Sequence, residues 1–194
     1  MMINAQLFEG EKIRLTPVDL ERDPQAIAGW FHDSEFLSML NLPLTLPRSP
    51  SQIKKAYEEI EKEQDEKSSV FNFMIRRKEE DNNTGGTLVG FARIFEIEWS
   101  NATGQIMLGI GDAHSRGKGY GSEALRLLLD YAFTEINFHR LGARIPEYNE
   151  IALHTFEKAG FTVEARSREA LNRYGRHWDL ILLGLLRPEW EKTR

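Results

Sequence analysis

The residues best suited to chemistry lie at 115–122, where the sequence reads SRGKGYGS. This stretch holds three glycines and two cations between a strand-like run at 105–110 and a helical pattern at 123–136. Residues without a Cβ atom allow successive N–H groups to turn into one concavity, and the N-terminus of the next helix adds partial positive charge. The stretch therefore predicts an anion-binding loop, most plausibly for a phosphate.

Two other phosphate-binding motifs resemble this loop. A Walker loop requires Gly-Lys followed at once by Ser or Thr, but Lys118 is followed by Gly119, so an ordinary P-loop is excluded. A dinucleotide fingerprint requires its third glycine at position 122, which is Ser122, although Glu147 lies where an acidic ribose ligand could sit. The strands predicted before the loop are antiparallel, which counts against a Rossmann unit but leaves it open.

Composition limits the possible functions. A chain of 194 residues suits one domain, 1–194, with a substantial core, and a net charge of −5 argues against a basic surface that grips nucleic acid. The chain has no cysteine, which excludes disulfides, thiolate metal sites and a cysteine nucleophile. The five histidines show no metal-ligand spacing, so no metal is expected. No apolar run approaches membrane length and no secretory leader is seen, so a cytoplasmic protein is expected.

Hydrophobic periodicity predicts one α/β (α+β) domain, with a central mixed, mostly antiparallel sheet of six to seven strands flanked by helices. A helix capped by Asp19 and a second helix starting at Ser51 follow the first strand, and a proline-containing segment at 41–50 is either a packed connector or a cover over a site. A helix capped by Asn149 ends at Gly160 and precedes a basic loop. Strands are predicted at 12–16, 70–76, 87–97, 103–110, 141–145 (parallel to the strand before it), 161–165 and 178–186.

Two motifs carry a family resemblance. Residues 116–121 resemble the Arg/Gln-x-x-Gly-x-Gly/Ala pyrophosphate loop of the GCN5-related N-acetyltransferase (GNAT) superfamily. About thirty residues later, 148–161 is similar to the family's second signature, Asn-x-x-Ala followed by Glu-Lys-x-Gly-Phe. From residue 88 onward the chain most resembles the bacterial ribosomal-protein alanine and diamine (spermidine) N-acetyltransferases.

The resemblance implies transfer of an acetyl group from acetyl-CoA to a primary amine, on a small molecule such as a polyamine or on a protein N-terminus. It implies no nucleic-acid or membrane partner, and it allows a homodimer. Asn149 matches a position that touches the cofactor, but a plain N-cap explains it equally well. The cofactor-binding residues that the resemblance implies are Met107, Leu108, Gly109, Ile110, Arg116, Gly117, Lys118, Gly119, Tyr120, Gly121, Ser122, Asn149 and Phe156.

The reaction needs a base for the ammonium group and an acid for the leaving thiolate. Glu96, ahead of Glu98, falls where relatives carry an acidic residue, and strand alternation puts both on one face, which could equally be solvent. Phe156 occupies the position of the tyrosine acid found in many relatives. Either the acid is dispensable, because a thiol has a pKa of about 8.5, or the protein is altered or inactive.

Tyr148, Tyr120 and His154 are possible substitutes for that acid, and Tyr148 is preferred. The missing tyrosine also motivates an alternative function, a non-catalytic acyl-CoA-binding or sensing module. The basic residues predicted to lie in a loop after Phe161 either support solubility or contact an acidic partner or the cofactor's ribose phosphate. They are Arg166, Arg168, Arg173, Arg176 and His177.

Overall fold

The computed structural model describes residues 7–40, 46–62, 69–78 and 85–193, in which seven strands form one sheet. The strand order is β1-β2-β3-β4-β5-β7-β6, and every neighbouring pair is antiparallel except β4 and β5. The strands are β1 (Ile13–Thr16), β2 (Phe71–Arg77), β3 (Thr87–Glu98), β4 (Thr103–Ile110), β5 (Arg140–Pro146), β6 (Thr162–Arg173) and β7 (Arg176–Leu186). The predicted mixed, mostly antiparallel sheet and the parallel crossover after the glycine loop are therefore confirmed.

Helices cover both faces of the sheet. The helices are α1 (Asp23–Trp30), α2 (Ser34–Met39), α3 (Pro50–Lys62), α4 (Tyr120–Thr134), α5 (Glu150–Lys158) and α6 (Arg187–Glu191). Helices α4 and α5 share one core with the buried side chains of β5 and β7, whereas α1, α2 and α3 form a second core with Met74 and Phe91. The apolar stripe of α4 recurs at helical spacing, as at Ala124, Leu128 and Ala132, which are all fully buried.

The N-terminal helical region differs from the prediction because it contains two helices before α3 instead of one. Asp19 does not cap α1: its carboxylate accepts from the N–H groups of Glu21 and Arg22, which makes a turn, and the helix begins at Asp23. The chain then bends, and Asp33 caps α2 by accepting from the Phe36 N–H at 3.0 Å. Helix α3 starts at Pro50 rather than Ser51, which fits the preference of proline for a first helical turn.

The predicted basic loop after Phe161 is wrong. The residues concerned lie on two long paired strands, β6 and β7, which meet at a tight turn with Tyr174 and Gly175 at positive φ. The hairpin was missed because most of β6 is exposed on both faces, so its sequence lacks the alternation that marks a half-buried strand. Arg166 pairs with Glu147 and Asp179 of the same chain, so the contact with an acidic group is intramolecular.

Part of the proline-containing segment, residues 41–45, lies outside the described residues, and the described part at 46–49 is exposed. Among the residues that the structure describes, no helix is both long and apolar enough to cross a membrane. In the same described ranges, no cluster of three or more His, Asp or Glu side chains could hold a metal ion.

Candidate functional site

The central strands separate beside the glycine loop. Strand β4 pairs with β5 only from Thr103 to Gln105, opposite Arg140 to Gly142. Beyond that point β5 remains paired with β7, while the β5-facing edge of β4 has no strand partner over 106–110 among the residues that the structure describes. The predicted cofactor residues at 107–110 therefore line a wedge-shaped opening, and backbone groups of 107–109 are available to a ligand that lies along the strand.

The glycine loop closes the end of this opening. Gly117 and Gly119 have φ values of 73° and 85°, and a Cβ atom at either position would meet nothing within 4 Å. Both glycines are thus required by their backbone conformation and face open space. Around them, the Arg116 N–H donates to Ala113 and the Glu123 N–H donates to Gly119, and the backbone N–H groups of 117–122 donate to no group within the described residues.

Six consecutive free N–H groups thus surround the start of α4, a helix of 15 residues. Helix N-termini carry about half a positive charge, and N–H groups aimed outward bind phosphate oxygens. Within the part of the chain that the structure describes, Lys118 has no ion pair, and its exposed side chain adds a positive charge. The arrangement suits a diphosphate, as the sequence predicts.

The side chain of Arg116 makes different contacts from its backbone N–H group. Its guanidinium donates to the backbone oxygens of Ile110 and Gly111 and to the Asp33 carboxylate at 2.6 Å. The same carboxylate caps α2, and the Phe36 N–H, followed by Arg116, lowers the pKa of Asp33. Arg116 therefore joins the end of β4 to the first turn of α2, a connection that the sequence analysis missed.

The C-terminal half of α2 lies across the mouth of the opening. A Cβ atom at Gly109 would lie 2.9 Å from Leu40 and from Phe36, so this glycine permits close approach of α2 to β4. The Tyr148 hydroxyl donates to the Ser38 carbonyl at 2.8 Å, and the Asn149 amide donates to the Met39 carbonyl at 3.1 Å. The small residues of β4 were the one sequence signal for this packing.

Asn149 and Tyr148 are both engaged within the protein. The Asn149 side-chain oxygen accepts from the Ala152 N–H at 3.1 Å, which confirms the predicted N-cap. Its contact with the cofactor remains a prediction. Burial raises the pKa of Tyr148, so its hydroxyl stays protonated at neutral pH and can donate.

Two predicted site residues are engaged with other side chains of the protein. Phe156 is only 5% exposed and packs in the core against the ring of Phe161, with centroids 5.0 Å apart. Glu96 is exposed and forms an ion pair with Arg144 of β5 at 2.6 Å. The expected alternation of Glu96 with Glu98 is broken, because the pairing shifts between Phe95 and Glu98, and Glu96 has a φ of 48°.

Comparisons with known proteins agree with this geometry. The chain is 29% identical over 159 residues to the SPbeta prophage-derived uncharacterized N-acetyltransferase YokL of Bacillus subtilis, covering 82% of both chains. It is 32% identical over 106 residues to YdaF of the same organism, whose name places it among ribosomal N-acetyltransferases, covering 55% of this chain and 57% of YdaF. It also superposes on the spermidine N-acetyltransferase of Vibrio cholerae, solved with CoA and spermine, with a TM-score of 0.78.

That superposition covers 94% of this chain and 99% of the Vibrio cholerae chain at 19% identity, and it confirms the predicted fold. Residues 12–162 match the family model of the acetyltransferase (GNAT) domain, a range that contains both predicted motifs. The chain is an N-acetyltransferase of the GNAT family.

Proposed function

We propose that this protein transfers the acetyl group of acetyl-CoA to a primary amine by direct attack of the amine on the thioester. The observation that carries the proposal is the run of six free N–H groups at 117–122, next to the unpaired edge of β4. A diphosphate bound there leaves the rest of the cofactor within reach of the opening between β4 and β5. The acetyl thioester then lies next to the β4 edge that would bind it.

In this proposal the cofactor supplies an activated acetyl group, and the chain positions it. The N–H groups of the loop and Lys118 bind the diphosphate, and the β4 edge at 107–110 pairs with the extended arm. An N–H group of the same edge donates to the thioester oxygen, where negative charge develops during attack. Since α4 and the loop cover one face of the sheet, the acceptor approaches from the face of α1 and α2.

We assign the two proton transfers to Glu96 and Tyr148. A lysine-like amine has a pKa of about 10.4 and arrives as an ammonium, so a base must take its proton, and Glu96 does so through water from the acceptor face. Tyr148 lies two residues beyond the C-terminal end of β5, and its hydroxyl, which donates to the Ser38 carbonyl in the free protein, turns from that oxygen to supply a proton to the departing thiolate.

A thiol-release assay tests the activity. Acetyl-CoA is incubated with polyamines, amino acids, aminoglycosides or peptides with free N-termini, and amine-dependent CoA release is measured against acetyl-CoA alone. We expect release with at least one class. Tight binding of acetyl-CoA without turnover on any amine would instead support the non-catalytic acyl-CoA-binding module, which Phe156 motivates. The names of relatives suggest polyamines and ribosomal protein N-termini as first acceptors to try.

Two variants test the assigned acid and base. We expect Glu96→Gln to lower kcat about 100-fold near pH 7 and to recover at high pH, where the free amine needs no base. Glu59→Gln, on the exposed face of α3, is the matched control and should keep the wild-type rate. We expect Tyr148→Phe to lower kcat about 100-fold with an unchanged Kd for CoA. Wild-type rates in both site variants would remove these two residues from the mechanism.

A further inference from the structure

The acceptor face of the sheet contains an arginine, Arg93, whose Nε has no hydrogen-bond partner among the described residues. Arg93 of β3 lies opposite Asn72 of β2 and Met107 of β4, and residues opposite each other in an antiparallel pair point to the same face. This face also carries Gly109, two residues after Met107, which α2 covers. Arg93 is thus one strand spacing, about 4.8 Å, from β4, whose other edge is proposed to hold the cofactor.

Two hydrogen-bond donors on this face have no acceptor among the described residues. The Nε of Arg93 and the Nδ2 of Asn72 are both buried and have no hydrogen-bond partner within the described residues. Both atoms are donors. The Arg93 guanidinium lies 4.6 Å from the centroid of the Phe95 ring, and in the described residues it has no ion pair. What these two atoms lack is therefore an acceptor, and a buried donor is costly until one is supplied.

The surrounding charges do not supply that acceptor. The nearby Glu96 carboxylate already binds Arg144 through two nitrogens, at 2.6 and 3.1 Å. Tyr57 of α3 is largely buried, and burial raises the pKa of its hydroxyl, so it is neutral and can donate too. Burial lowers the pKa of Arg93, and the nearby Tyr57 and Glu96 only partly oppose this effect.

A polyamine placed beside Arg93 would bring ammonium groups, which are donors only, toward an arginine. A carboxylate would bring two acceptor oxygens that match the guanidinium and the amide.

We propose that Arg93, assisted by Asn72, binds a carboxylate of the acceptor, so that the amine acetylated by this protein belongs to an amino acid or a similar molecule. This inference rests on the proposed acetyl transfer and narrows its acceptor to a class in which amine and carboxylate are only a few atoms apart. The carboxylate at Arg93 places the amine near Met107, where the thioester would lie. Simple polyamines are then poor acceptors.

Matched pairs of acceptors test the proposal. L-lysine is compared with cadaverine, L-phenylalanine with phenethylamine, and spermidine is added; each pair differs only by the carboxylate. We expect at least one amino acid to exceed its decarboxylated partner about 10- to 100-fold in kcat/KM, the range of a charge-assisted hydrogen-bonding pair. Equal or better turnover of cadaverine, phenethylamine and spermidine would overturn the carboxylate site while leaving acetyl transfer intact.

Arg93 variants connect the preference to this residue. Arg93→Gln should lower kcat/KM for the amino acid about 10- to 100-fold and leave the decarboxylated amine unchanged, whereas Arg93→Lys should keep part of the preference. Arg126→Gln, on the exposed side of α4, is the matched control and should behave as wild type. Equal losses on both acceptors in Arg93→Gln would mean a merely structural residue and refute the proposal.

A binding readout keeps the test independent of turnover. The melting temperature of the CoA complex is measured with and without each acceptor, for the wild type and for Arg93→Gln. An amino acid should stabilise the wild-type complex and not the variant complex. If no amino acid stabilises the wild-type complex or is acetylated by it, the carboxylate site is refuted whether or not other amines react. Stabilisation of the wild-type complex by an amino acid, without turnover on any amine, would contradict only the proposed function.

Discussion

Replacing Gly119 separates the role of its backbone conformation from the role of the open space beside it. Gly119 has a φ of 85°, and a Cβ there meets nothing within 4 Å, so alanine adds only the strain of a left-handed conformation. That strain costs about 1–2 kcal/mol. For a chain of this length, about 1 kcal/mol lowers Tm by roughly 2–4 °C, so Gly119→Ala should melt about 2–8 °C lower without ligand.

Gly175 is a matched control for this strain. It has a φ of 73° and equally open surroundings, but it lies in the turn between β6 and β7. Gly175→Ala should therefore lose about the same 1–2 kcal/mol as Gly119→Ala. A comparable drop in Tm for the two unliganded variants is the first expected result, measured by thermal unfolding under identical conditions.

The two variants should differ once CoA is added. At 100 times its Kd, a ligand stabilises the folded state by about 2.7 kcal/mol, or roughly 5–11 °C here. We expect wild type and Gly175→Ala to show this shift in full. Gly119→Ala should show less, and Gly119→Val none, because the side chain occupies the concavity formed by the free N–H groups. A full shift in Gly119→Val would refute the placement of the diphosphate on this loop.

Two ion pairs give further predictions. Asp33→Asn keeps an N-cap but loses the ion pair with Arg116. Because folding lowers the pKa of Asp33, the stabilisation from its carboxylate is present above the ordinary carboxyl pKa of about 3.9 and is lost as the pH falls through the lower folded pKa. In urea unfolding, variant and wild type should therefore differ in stability at pH 7 and converge in acid. Equal stabilities at pH 7 would contradict this. Arg76→Met leaves the Asp23 carboxylate, whose residue is 1% exposed, without its ion-pair partner and should lower the free energy of unfolding in urea by about 3–5 kcal/mol. Adding Asp23→Asn should restore much of that loss. No restoration would show that the lost packing of Arg76 is responsible.

The central strands and the loop could be predicted from the sequence because their signals are local. The three strands before the loop alternate on a half-buried sheet, and the glycines at 117 and 119 mark positions where φ is positive. The parallel crossover follows from the handedness of a strand–helix–strand unit. The position and the backbone conformation of the glycine loop could therefore be predicted from its own residues.

The missed features depend on contacts between distant segments. Nothing adjacent to Arg116 shows that its side chain binds Asp33, which is 83 residues earlier. The bulge that redirects Glu96 has no glycine to mark it, and the exposure of β6 on both faces removes the pattern that defines strands. That the Nε of Arg93 has no hydrogen-bond partner among the described residues is likewise visible only when β2 and β4 flank β3.

Amide hydrogen exchange at 117–122, with and without CoA, tests the central claim most directly. These N–H groups have no acceptor within the described residues, so they should exchange quickly in the free protein. Saturating CoA should slow them, together with amides on the open edge of β4 at 107–110, while the amides of the turn at 174–175 keep their rates. Unchanged exchange at 117–122 under saturating CoA would contradict the proposal that this loop holds the cofactor.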